Sequence, residues 1–373
     1  MSTTRDGVLT RGARGIGALV CLLLALLTAG WIIRDLTIAQ HGADVGWTWL
    51  GEARRPREFT AWATSAFDPL LVLGALIVAV VAVRSAVTPS VAAGALLSLA
   101  AVTVLLRVPL VWILGAGWLQ GLDSGLTERA RLTALTQLAL AVALIVVVVA
   151  GRRRAGAGRH AGHGARGLPA VASSAYGVVH AVHYRADPER PGRPYKGAAV
   201  AAAVFLGTAG LAVAGWEVHW QVRLGGDVYR KGLLGDASVF RALLQPPVHW
   251  QAVALALLAL GAAAALLRRA PWARPAGVTA AALLLVHGAV ALVFAQRTGE
   301  LGRLTALPVQ ARLEVGTAAF VAAAGLAALL AAARPGVPEA SHDADGVLAY
   351  GSAPGEARPP HAPPPPSRLP PGW

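Results

Sequence analysis

A chain of 373 residues with 55% hydrophobic and only 14% charged side chains, at a mean hydropathy of +0.56, does not have the composition of a water-soluble domain; lipid is its expected solvent. Its single cysteine, Cys21, excludes an internal disulfide and a cysteine-built metal site. Glycines that fall singly inside apolar runs form no P-loop or dinucleotide fingerprint, so a nucleotide-driven ATPase is not expected, and the Ala, Leu, Val and Arg bias suggests a GC-rich bacterial genome.

Crossing the hydrocarbon core takes about 20 apolar residues in a helix, because every backbone polar group must be satisfied inside the segment. Taken in chain order, eight stretches meet that requirement. Residues 1–14 form a short basic N-terminal segment, and the first span follows at 15–33, around Cys21. Its length and the lack of an A-x-A site after it argue against a cleaved signal peptide. The second span lies between Asp68 and Arg84, the third covers 91–114 and contains Arg107, and the fourth covers 132–151. After a basic linker at 152–196 come spans at 197–216, 248–267, 275–296 and 315–333. The tail from 334 to 373 holds 11 of the 24 prolines, including Pro363 to Pro366, and is expected to be disordered.

The fold class expected is therefore all-α, a polytopic membrane protein of about eight helices in two four-helix units, residues 15–151 and 197–333. Three pattern matches point to a parallel internal repeat. Gly30-Trp31-x-x-Arg34 lies over Gly215-Trp216-x-x-His219, Phe59-x-Ala61 over Phe240-x-Ala242, and Ala130-Arg131-Leu132-x-x-x-Thr136 over Ala311-Arg312-Leu313-x-x-x-Thr317. Each long connection after the first helix of a unit is expected to carry a short amphipathic helix, at 57–66 in the first and at 237–244 in the second, the latter capped by Asp236.

Charge distribution sets the expected orientation. Connections on the side of the termini carry 19 basic and 7 acidic residues, and those on the other side 13 and 12. The positive-inside rule then places both termini in the cytoplasm of a plasma-membrane protein. The excess positive charge faces anionic lipid, so the bilayer is the expected partner and nucleic acid is not. Unidentified membrane or cytoplasmic proteins remain candidate partners for the linker and tail. Nine of the eleven tryptophans fall toward the outer side, the distribution of an aromatic belt at headgroup depth.

Polar residues within spans carry the functional expectations. Arg107 and His287 fall in the third helix of each unit and are expected to share an intramembrane polar site, Arg107 holding an anionic group and His287 exchanging a proton. Arg34, His219, Asp68 and His249 are candidates at the outer ends of the helices. Haem b on His219, His249 or His287, or a divalent metal on the pairs His160/His163 and His180/His183, are the cofactor alternatives. Missing neighbouring carboxylates and thiols leave no cofactor expected. Asp35, Asp123, Glu128, Glu217 and Glu314 lie in loops and at helix ends without a diagnostic neighbour, so no catalytic residue is assigned and an enzyme is the minority reading. A transporter-like or accessory membrane component is expected, with a non-transporting membrane scaffold or envelope-stress protein as the alternative.

Overall fold

In a computed structural model the described residues are 7–154, except 53, 55, 57–59, 86 and 120, together with 194–334. The His160/His163 and His180/His183 pairs and the proline-rich tail lie outside them. The architecture is helical throughout, apart from a two-stranded antiparallel ribbon of β1 (Gly7–Leu9) and β2 (Arg152–Arg154). Eleven α-helices follow one another among the described residues: α1 (Arg11–Ile38), α2 (Gly42–Trp49), α3 (Phe67–Val83), α4 (Pro89–Arg107), α5 (Leu110–Ile113), α6 (Ser124–Ala150), α7 (Lys196–Leu224), α8 (Gly226–Leu234), α9 (Val248–Leu267), α10 (Ala273–Arg297) and α11 (Val309–Ala333). Among the described residues seven helical segments are long and apolar enough to cross a membrane: α1, α4 with α5, α6, α7, α9, α10 and α11. The chain is thus a multi-pass membrane protein by length and composition. Helix α3, with 17 residues, is shorter and equally apolar.

Local chemistry explains the helix starts. Thr10 Oγ1 accepts from Ala13 N–H (3.3 Å) at the head of α1, Asp123 Oδ1 accepts from Gly125 N–H (3.0 Å) before α6, and Pro89 opens α4 where a missing N–H costs nothing. Helices α1, α6 and α7 run past the limits expected from apolar runs because polar first and last turns continue the helix beyond the hydrocarbon.

Helix α1 packs on α3 and α6, and α4 packs on α6; later in the chain α7 packs on α9 and α11, and α10 on α11. The second group is packed almost entirely with alanine, including Ala202, Ala209, Ala259 and Ala281, all fully buried. Small side chains let backbones approach where lipid tails supply no hydrophobic drive for association. The two groups meet along α4 with α10 and α9, and α3 with α10. We call the end bearing the ribbon the ribbon face, and the opposite end, with α2, α8 and both long connections, the loop face.

The short loop helices are not where periodicity places them. They are α2 and α8, early in each connection, while the described residues from 60 to 66 and the segment 237–244 are not helical. The cause is where their backbone N–H groups go. Leu243 N–H and Leu244 N–H donate to Trp62 O and Ala63 O (2.9 and 2.8 Å), tying one connection to the other, and Ala63 N–H and Thr64 N–H donate to the buried carboxylate of Asp35. A helix would withdraw those donors. Asp236 accepts from Ser238 N–H (3.0 Å) in a turn and caps no helix. Two tryptophans also join the groups: Trp112 and Trp250 donate across the seam to Leu234 O and Leu105 O (2.7 Å each), and their rings meet edge to face at 5.5 Å.

Candidate functional site

Arg107 is 1% exposed and sits at the seam, at the loop-face end of α4. Its Nη2 donates to Asp68 Oδ1 in the first turn of α3, and its Nη1 donates to Leu244 O in the second long connection. Asp68 is itself fully buried, with Oδ2 accepting from Ser65 N–H (2.6 Å) and Ser65 Oγ (2.9 Å). Arg34 donates to Asp35 (2.8 Å) and to Ala61 O (2.7 Å), while Asp35 receives three further donors from Ala63 and Thr64. These groups are charge-paired clamps on the loop-face ends of α1, α3 and α4.

The histidines have three separate surroundings. His219 lies between the rings of Trp216 (5.3 Å) and Trp220 (5.6 Å), its Nε2 buried without a partner among the described residues. His249, in the first turn of α9, has Nδ1 2.9 Å from Glu217 Oε2, and the Tyr229 hydroxyl donates to the same oxygen (3.1 Å). Tyr229 stacks on His249 at 4.6 Å, and Gly232 approaches so closely that a Cβ would fall 2.3 Å from His249 Cδ2. This cluster staples α8 onto α7 and α9. Burial, and then the Glu217 carboxylate, push the Tyr229 hydroxyl up to about 12. A folded pKa above the unfolded value near 10 means that α8 docking is at full strength below pH 10 and is lost as pH rises through 12. Tyrosinate absorbance should therefore show one tyrosine titrating late, and Tyr229→Phe should remove that late step; if all tyrosines titrate near 10 in the wild type, the docked geometry is wrong.

His287, on α10, enters a cavity of about 530 Å³ that opens at the loop face along the seam. Its walls combine aromatic groups (Trp49, Phe240, Phe294) with polar ones (Gln251, Arg241, Asp236). Gln251 is 9% exposed and its Oε1 is buried with no hydrogen-bond partner among the described residues. His287 likewise makes no hydrogen bond or ion pair among them, and Arg241, exposed at the mouth, makes none among them either. Hydrogen bonds from Ser238 hold the Asp236 carboxyl below the usual carboxylate range. At 1.5 Å per residue, His287 lies about 15 Å below the loop-face end of α10. Arg107 does not line this cavity, so the structure does not bring Arg107 and His287 together; Arg107 meets Asp68, and His249 meets Glu217.

Among the described residues no group of three or more His, Cys, Asp and Glu side chains is placed to hold a metal ion. Sequence reasoning passed over Gln251, Tyr229 and the Glu217 pairing. The available signal was that a glutamine two residues into a helix after His249 falls one turn inside an apolar segment, where an amide needs a partner. The chain matches no family model, no curated protein and no solved structure.

Proposed function

We propose that this chain is a transporter-like membrane component that takes a small ligand with both aromatic or apolar and hydrogen-bonding groups into the loop-face cavity. The observation carrying this is that Gln251, with its Oε1 buried and unpartnered among the described residues, and His287, which makes no hydrogen bond or ion pair among them, line one space of about 530 Å³. An unpaired amide in an apolar wall costs about 1–3 kcal/mol, a cost a ligand would relieve, and the volume is that of small-molecule pockets. Gln251 and His287 would fix the ligand, Arg241 would meet an anionic group at the mouth, and Trp49 and Phe294 would hold its body.

Eight spans in two units complete the reading. Helix α3, at about 1.5 Å per residue, reaches about 25 Å, within the lower range for a span. It also joins both faces: Asp68 holds Arg107 at one end, and Ala82 O and Arg84 O accept from Arg14 at the other. A parallel repeat is supported by two matching bonds, Trp31 Nε1 to Thr133 Oγ1 and Trp216 Nε1 to Thr317 Oγ1, both 3.1 Å, at positions differing by 185 and 184. The buried bond from Gln137 to Thr28 is replaced at the same spacing by Val321 and Val213, both buried. On these spacings Thr133 and not Thr136 is the counterpart of Thr317. The third helices start at Pro89 and Ala273, 184 apart, which sets Arg107 opposite Ala291 and His287 opposite Thr103, one turn away from each other.

The orientation proposed from charge is ribbon face and termini in the cytoplasm of a plasma-membrane protein, loop face outward. Both parts are tested with Val290→Cys, a cavity-lining position, in a Cys21→Ala background. A membrane-impermeant maleimide added to intact cells should label position 290. Small molecules co-purifying with the wild type should include at least one that is depleted about tenfold, the equivalent of about 1.4 kcal/mol, by Gln251→Leu with His287→Leu. Labelling only in inside-out vesicles would reverse the orientation. Labelling in neither preparation until solubilisation would close the cavity to water, and identical co-purified sets would remove the ligand site. Either result would favour the scaffold reading, for which the full enclosure of Arg107 by Asp68 and Leu244 is the supporting observation.

A further inference from the structure

A second space lies along the same seam, nearer the ribbon face, with a volume of about 520 Å³ between α3 and α4 on one side and α10 and α11 on the other. The two spaces share no lining residue, and one buried apolar cluster borders both, through Phe67 on the loop-face cavity and Leu71, Val102 and Leu283 on this one. Its walls are aliphatic almost throughout, and Leu73 and Ile77 stand exposed at its rim, so it opens sideways to the surrounding lipid. One charged side chain lines it among the described residues: Arg274, in the first turn of α10 at the ribbon-face end.

We propose that this cleft is a binding site for an anionic diacyl phospholipid of the ribbon-face leaflet, with one acyl chain in the cleft and the phosphate at Arg274. The length fits. On α3 the lining runs from Leu70 to Val81, about 16 Å along the helix axis, and one leaflet of a hydrocarbon core about 30 Å thick needs about 15 Å.

The charge fits as well. Arg274 Nε and Nη2 donate to Ala332 O (3.3 Å) and Ala333 O (3.2 Å) at the end of α11. Those bonds fix the guanidinium at the cleft mouth and leave Nη1 unused, with the geometry to donate to a phosphate oxygen. Arg84 ends α3 and Arg268 ends α9 at the same face, both exposed, so the mouth lies in a positive field. A wholly apolar cleft would take any acyl chain. The arginine is what selects the headgroup.

Native mass spectrometry of the full chain released from micelles containing equal phosphatidylglycerol and phosphatidylcholine tests the site. Wild type should retain one phosphatidylglycerol with a preference of about fivefold, the equivalent of about 1 kcal/mol for one arginine near the surface. Arg274→Gln should retain lipid without headgroup preference. Ala282→Trp, which fills the cleft from α10, should lose both lipids. If Arg274→Gln fails to fold, salt titration of the wild type replaces it, because the preference should fall as ionic strength rises. No preference in the wild type, or lipid retention by Ala282→Trp equal to the wild type, would overturn the proposal. Neither variant touches Gln251 or His287, so this result is separable from the fate of the loop-face cavity.

Discussion

Arg107→Leu is expected to destabilise the protein by about 3–5 kcal/mol, the range for removing one partner of a buried ion pair. The substitution leaves Asp68 fully buried with only Ser65 to satisfy it, and leaves Leu244 O without its donor. Coulomb attraction is not the reason the loss is large, since desolvation offsets much of it; the uncompensated charge left behind dominates. Arg107→Lys should recover part of the loss, because one ammonium cannot reach Asp68 and Leu244 O with the fixed geometry of a guanidinium fork. Asp68→Asn should also be destabilising, and in the double variant Arg107→Leu with Asp68→Asn the two losses should fail to add, with a coupling of about 2–3 kcal/mol. Unfolding in mixed micelles, followed by tryptophan fluorescence, measures all four corners of the cycle. A single Arg107→Leu variant within about 1 kcal/mol of the wild type would show that the clamp is not a stabilising element.

That expectation differs from the one sequence alone gives, in which Arg107 holds an anionic group in a polar site shared with His287. The difference lies in partners that periodicity cannot supply. Arg107 and Asp68 are 39 residues apart, and Leu244 O lies 137 residues from Arg107. The cost of a bare arginine in lipid predicts correctly that it is enclosed, but not by what. Seven membrane-crossing segments are legible because the bilayer imposes length and apolarity directly on each one. The loop helices are not legible, because the non-helical segments at 60–66 and 242–244 are held by Asp35 and by each other across the seam, and no local signal marks such pairing. The cavity is half legible. His287 stands out as an ionisable group in an apolar run, whereas Gln251 acquires meaning only when its amide is found without a partner.

Glycines look interchangeable in the sequence, and the structure separates them. At Gly288 on α10 and Gly325 on α11 those two helices approach too closely for a side chain. A Cβ on Gly288 would lie 2.6 Å from Ala318 O and Ala322 N, and one on Gly325 would lie 2.6 Å from Leu285 N. Those neighbours are backbone atoms of an intact helix and cannot rotate away, so the helices themselves must separate. Gly288→Ala and Gly325→Ala gain about 0.8–1.0 kcal/mol each in helix propensity, but overpacking costs about 1–3 kcal/mol and forfeits the small-residue contacts that hold membrane helices together. The packing cost wins, and a net loss of about 1–2 kcal/mol each is expected. Gly316, on α11, has nothing within 4 Å of where a Cβ would stand and should tolerate alanine with no loss. The double variant should lose less than the two singles together, since helices already parted by the first methyl admit the second more cheaply. Because Gly288 adjoins His287, Gly288→Ala should also change reagent access to a cysteine at 290, whereas Gly325→Ala, which meets α10 nearer the ribbon face, should change it less. Gly288→Ala as stable as Gly316→Ala would mean that α10 and α11 are held apart in the membrane, and the alanine-lined core of the second unit would then need a different packing.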